Sequence, residues 1–177
     1  MSDDLPLIKE VICIEPPTFY QIKQVKNSKA AGEDIYSKYY LTANLFFNNA
    51  TSFHVISKIV QDCKIYLRDK SGYIPPLEKM RLEIEYHSLK AVDLDNRLYF
   101  WNKLFLDILK TPTQKQLDKA SEGKYKKEII TLNVLHDDTT DYIDQISYKH
   151  KRDTPKLIFR IYGRVKSEQK ELPLFFK

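Results

Sequence analysis

Residues 80–109 read MRLEIEYHSLKAVDLDNRLYFWNKLFLDIL, and this run sets the fold class. Over residues 80–87 the side chains alternate, with Leu82, Ile84 and Tyr86 on one side and Arg81, Glu83, Glu85 and His87 on the other. That is the period of a strand with one buried face. Further on, Leu98, Trp101, Phe105, Ile108 and Leu109 follow at steps of three and four, the apolar stripe of a helix. Between the two lies Val92-Asp93-Leu94-Asp95-Asn96, where Asp95 or Asn96 can cap the helix by accepting a free backbone N–H.

Working outward, residues 7–15 are rich in β-branched side chains and end at Pro16-Pro17, which predicts a strand inside the sheet closed by a turn. Residues 18–40 mix Tyr, Lys, Asn and Gly in no clear period and suit an irregular surface loop. Phe53, Ile56, Val60, Cys63 and Leu67 predict a helix that Gly72 and Pro75-Pro76 stop, and Thr111-Pro112 breaks the later one. Residues 129–135, 142–149 and 157–165 read as strands, with 151–155 as a turn. The expectation is one α+β domain over residues 1–177, a mixed sheet packed against two main helices. It carries a Lys-rich insertion at about 110–128 and an apolar tail at about 167–177 that favours docking over disorder.

Composition narrows the function. The 29 Lys+Arg against 24 Asp+Glu leave a net charge of +5, which favours a polyanionic partner. Cys13 and Cys63 are too few and too far apart for a disulfide scaffold or a zinc knuckle, so both are expected in the core of a cytoplasmic protein. The acidic opening does not fit a signal peptide, and no apolar run is long enough to span a bilayer, so no membrane partner is expected.

Two carboxylates one residue apart, Asp93 and Asp95, project to one side of an extended segment and can converge on one hard cation as the strand ends. Mg²⁺ needs only one or two carboxylates beside substrate phosphate oxygens. The same cluster also serves as a turn and N-cap, and Asp137-Asp138 as a polar turn. Lys103 lies two turns beyond Asp95, roughly 12 Å along the axis, where it can face a phosphate or pair with Asp107.

Asp93-Leu-Asp95-Asn96, then Lys103, then Phe105-Leu-Asp107-Ile-Leu109, and downstream Asp137-Asp138, together resemble the RusA-like Holliday junction resolvases. The Pro16-Pro17-Thr18 step also resembles that family's opening. The resemblance implies a homodimeric, Mg²⁺-dependent endonuclease, with Mn²⁺ as a substitute, that nicks four-way DNA junctions symmetrically. It implies Asp93, Asp95 and Asp138 as metal-binding and catalytic carboxylates, Lys103 as the catalytic lysine, and Asn96, Asp107 and Asp137 in support. Lys103 comes one helical turn later than in the family, where the register is held here by Tyr99.

Lys124, Lys126, Lys127, Lys149, Lys151 and Arg152 are candidate phosphate contacts or ordinary solvated lysines and arginine. Phe19, Tyr20, Tyr36, Tyr39 and Tyr40 can stack on unpaired bases or pack over the sheet. His54, His87, His136 and His150 lack zinc-site spacing, and only His136 stands beside the acidic pair. No Walker A, G-x-G-x-x-G or G-x-S-x-G motif occurs. The alternatives to a resolvase are an inactive junction-binding protein of the same fold, or a metal nuclease acting on flaps and single strands.

Overall fold

A computed structural model describes residues 5–23, 36–47, 51–89, 93–123 and 128–166. The elements are β1 (Leu7–Ile14), β2 (Phe19–Lys23), β3 (Tyr36–Tyr40), α1 (Asn44–Phe47), α2 (Phe53–Ser71), β4 (Leu77–His87), α3 (Leu94–Leu109), α4 (Gln114–Ser121), β5 (Ile143–Lys151) and β6 (Lys156–Val165). Four strands form a mixed sheet in the order β1-β6-β4-β5, while β2 and β3 make a separate two-stranded ribbon. β4 runs antiparallel to β6 and parallel to β5, and α3 belongs to the crossover between the parallel pair. The α+β class with two main helices on a mixed sheet is as expected.

The core lies between one sheet face and helices α2 and α3. Val11 and Cys13 of β1, Leu82 and Ile84 of β4, and Phe159 and Ile161 of β6 meet Ile59, Cys63 and Leu67 of α2 and Trp101, Phe105 and Ile108 of α3. The Phe105 and Phe159 rings stack with centroids 3.9 Å apart. Both cysteines are buried there, and burial pushes the Cys63 thiol up to about 12. Gly72 ends α2 at φ 60°, a conformation that a side chain would strain. Gly163 is required for another reason, because a Cβ there would lie 2.8 Å from the Lys79 carbonyl oxygen on the neighbouring strand.

Several expectations need correction. β1 is an edge strand rather than an inner one, and Ile12 and Ile14 are exposed because they alternate with Val11 and Cys13 onto the sheet face away from the helices. Residues 18–40 are not wholly irregular: β2 and β3 pair in register, Phe19 opposite Tyr40 and Tyr20 opposite Tyr39. Residues 129–135 form no strand, since Asn133 takes φ 54° and interrupts the extended run. Their N–H groups cap a helix end instead, Leu132 donating to Ile108 and Val134 and Leu135 to Leu109. These are the carbonyls that a helix terminus leaves unpaired. The Lys-rich insertion contains α4, but Lys124, Lys126 and Lys127 lie outside the described residues, as does the 167–177 tail. The α2 stripe holds at Cys63 and Leu67, with Ile56 and Val60 packed against the core; it is centred on Ile59, Cys63, Leu67 and Ser71, and Phe53 is exposed.

Glu85 and His87 do not sit on a solvated face. Their side chains are only 3 % and 4 % exposed, held under an ionic lattice on the sheet face away from the helices. Arg160 reaches Glu10, Glu83 and Glu85 at 2.6 Å each, and His87 lies between Glu85 at 2.6 Å and Asp153 at 3.3 Å. Among the described residues no helix is long and apolar enough to cross a membrane.

Candidate functional site

The path from β4 to α3 delivers two exposed carboxylates to one rim of the sheet. Asp93 is the N-cap of α3, its carboxylate accepting from the Asn96 N–H at 3.2 Å, so the cap is neither Asp95 nor Asn96. Asp is among the best N-caps because its oxygen satisfies an N–H that the first turn leaves free. Asp95 stands exposed in the first helical turn, because α3 begins at Leu94; the two carboxylates therefore do not share one face of an extended segment as expected, but both border one depression. Asn96 turns the other way, accepting from the Asn44 N–H at 3.2 Å through its side chain and from the Ala43 N–H at 2.8 Å through its carbonyl. Arg97 then donates to the carbonyls of Thr18 and Leu41 at 2.9 and 3.0 Å, fastening the base of the β2–β3 ribbon to α3.

Tyr148 of β5 completes this rim. Its hydroxyl accepts from the Asn102 amide at 3.0 Å, and burial, with the Asp95 charge second, raises its pKa above the ordinary tyrosine value. Two adjoining surface depressions of about 380 and 510 Å³ share Asn44 and Asn96. The first is bounded by Lys38 and Tyr40, and the second by Asp93, Asp95, Phe47 and Tyr99.

Three more of the predicted residues, Asp107, Asp137 and Asp138, gather at the opposite end of α3. Asp107 pairs with Lys64 of α2 at 2.9 Å, and Lys110 lies 3.8 Å from Asp107 and 3.0 Å from Asp138. Asp137 accepts from the Asp138 N–H at 2.8 Å. Burial works against the Asp138 carboxylate, yet Lys110 outweighs it and holds its pKa below the usual value. These groups flank a groove of about 710 Å³ lined by Lys64, Asp107, Lys110, Gln116, His136 and Asp137. From Asp95 to Lys110 the helix rises roughly 22 Å, so Asp93 and Asp95 are not brought together with Asp138. Among the described residues no group of three His, Cys, Asp or Glu side chains is arranged to hold a metal.

Lys103 is exposed on α3, eight residues beyond Asp95, and the uninterrupted helix puts Tyr99 in the nearer register. Asp107 pairs with Lys64 and Lys110 rather than with Lys103. Lys149 is paired with Glu83 at 2.7 Å and Lys151 with Glu85 at 2.8 Å, while Arg152 is exposed in the turn after β5. Asn44, Arg97, Asn102 and Tyr148 were not legible as site residues, because each acts through a partner distant in sequence. No protein-family model matches the chain, and neither a curated protein nor a solved structure matches it.

Proposed function

We propose that the chain is a Mg²⁺-dependent endonuclease of branched DNA, resolving four-way junctions, with Asp93 and Asp95 as its catalytic carboxylates. The observation that carries this reading is the exposed Asp93/Asp95 pair where β4 hands over to α3. Its donors are hard oxygens, which suit Mg²⁺ or Mn²⁺, and two carboxylates suffice when substrate phosphate and water complete the shell. Bound there, the ion would supply Lewis-acid polarisation of the phosphodiester. The helix N-terminus favours the negative phosphate. Asp93 both caps α3 and presents charge, Asn96 holds that turn against α1, and the protonated Tyr148 hydroxyl offers a donor beside Asp95.

Lys103, about 12 Å along the axis from Asp95, serves a flanking phosphate rather than the scissile one. Asp107, Asp137 and Asp138 serve the α3 end and the start of β5. Paired nicks require two sites, hence a homodimer with twofold symmetry. The distance between Asp95 and Asp138 favours one second reading, an inactive junction-binding protein. Cleavage of a labelled four-way junction in Mg²⁺ or EDTA, beside linear duplex and flap controls, tests both. Paired nicks in Mg²⁺ that vanish in Asp95→Asn, with junction binding kept, support the nuclease. Binding without nicks in the parent leaves the second reading.

A further inference from the structure

The outward face of the β2–β3 ribbon has a composition that the nuclease reading does not require. In a two-stranded ribbon alternate residues share a face. Tyr20, Ile22 and Tyr39 turn inward and pack against the core, whereas Phe19, Gln21, Tyr36, Lys38 and Tyr40 are exposed. The Lys38 ammonium lies 3.8 Å from the Phe19 ring centroid and 5.2 Å from that of Tyr40, so the face is aromatic with a cation set among the rings. It continues through the two depressions that share Asn44 and Asn96 to Phe47 and Tyr99, beside Asp93 and Asp95. Phe47 is 68 % and Tyr40 59 % exposed, an unusual outlay of ring surface to leave in water.

We infer that this face is a stacking platform for unpaired nucleotides, holding a single strand so that its backbone passes Asp93 and Asp95. Rings, one lysine and the amide of Gln21, with no aliphatic side chain among Phe19, Gln21, Tyr36, Lys38 and Tyr40, match flat bases joined by phosphates better than they match an apolar protein surface. Bases offer π-faces whatever their sequence, and Lys38 supplies the charge complementary to the strand. The ribbon is anchored at its base, where Arg97 of α3 bonds the carbonyls of Thr18 and Leu41 that flank its two strands. The inference rests on the nucleic-acid part of the proposed function and is independent of catalysis.

The test is anisotropy of a labelled single strand of roughly 15 nucleotides, and of the matching duplex, with the full chain in EDTA so that cleavage plays no part. Tyr40→Leu and Phe47→Leu are each expected to weaken single-strand binding about fivefold or more, while duplex binding stays near the parent's. Tyr40→Phe keeps the ring and is expected to bind as the parent does. Both side chains lie outside the core, and matched unfolding midpoints check that the variants fold. Leucine variants that bind the single strand like the parent, or lose both substrates equally, overturn the platform. So do variants that change only self-association, which would make the face a protein interface. Ring-dependent binding without nicks in Mg²⁺ keeps the platform and removes the nuclease; nicks with ring-independent binding do the reverse.

Discussion

Replacing Glu85 by Gln is expected to destabilise the fold by roughly 1–3 kcal/mol at neutral pH, and that loss should fade on acidification. The Glu85 carboxylate takes Arg160 at 2.6 Å, Lys151 at 2.8 Å and His87 at 2.6 Å. Burial alone would raise its pKa, but these partners overcome it and bring the value from 4.5 to about 2. At about 1.4 kcal/mol per unit the difference is on the order of 3 kcal/mol. The Lys151 ammonium is largely in solvent and screens part of it, which sets the lower bound. Because the folded value is the depressed one, the contribution is complete above about pH 4.5 and is lost as pH falls through about 2.

Urea unfolding of the parent and Glu85→Gln between neutral and acidic pH reads the difference directly. The gap between the two midpoints should be widest at neutral pH and close as acid protonates the parent. A gap that stays constant across the range, or is missing at neutral pH, refutes the view that the lattice on this face is stabilising through charge. The same lattice engages the Lys149 and Lys151 ammonium groups.

Asp93→Ala should lower stability by about 1 kcal/mol through the lost cap, whereas Asp93→Asn should keep stability and lose cleavage; equal cleavage in Asp93→Asn would separate that carboxylate from the chemistry. Gly163→Ala drives a Cβ to within 2.8 Å of the Lys79 carbonyl and 2.9 Å of a Leu77 methyl, and a loss of about 1–3 kcal/mol is expected in thermal or urea unfolding. Phe105→Ala removes one partner of the stacked pair with Phe159 and should lower stability by about 3–5 kcal/mol. Lys103→Ala should reduce junction cleavage by less than about tenfold, the scale of one exposed charge contact, and a collapse as deep as that of Asp95→Asn would return the lysine to the scissile phosphate.

The fold was legible where burial imposes a period. Leu82, Ile84 and Tyr86 could only face a core, and Leu98, Trp101, Phe105, Ile108 and Leu109 lie on the buried side of α3. Legibility failed where partners outside the segment decide the outcome. Residues 129–135 have strand composition, yet the unpaired carbonyls of α3 take their N–H groups and Asn133 breaks the run. Glu85 and His87 alternate as a solvated face should, but charges from β5, β6 and the turn between them bury them. The ribbon of β2 and β3 escaped notice because its two strands carry aromatic and polar residues on both faces and join residues well apart in sequence.

The separation of the two acidic pairs follows from topology. β4 and β5 are parallel neighbours, so the end of one and the start of the other lie at opposite edges of the sheet. Asp93 follows the end of β4, and Asp138 precedes the start of β5. Order along the chain cannot reveal this, because an antiparallel neighbour would have brought the same residues to one edge. An ion shared by Asp95 and Asp138 within one chain would require that parallel pairing to break. Mn²⁺ added in small steps to isotope-labelled protein should therefore broaden the amide signals of residues 93–97 well before those of 137–139, since relaxation falls steeply with distance. Equal broadening that persists where the chain is monomeric and that Asp95→Asn abolishes at 137–139, so that one shared ion causes it, would refute the parallel arrangement of β4 and β5; equal broadening that disappears on dilution would put Asp138 of a second copy beside the Asp93/Asp95 pair.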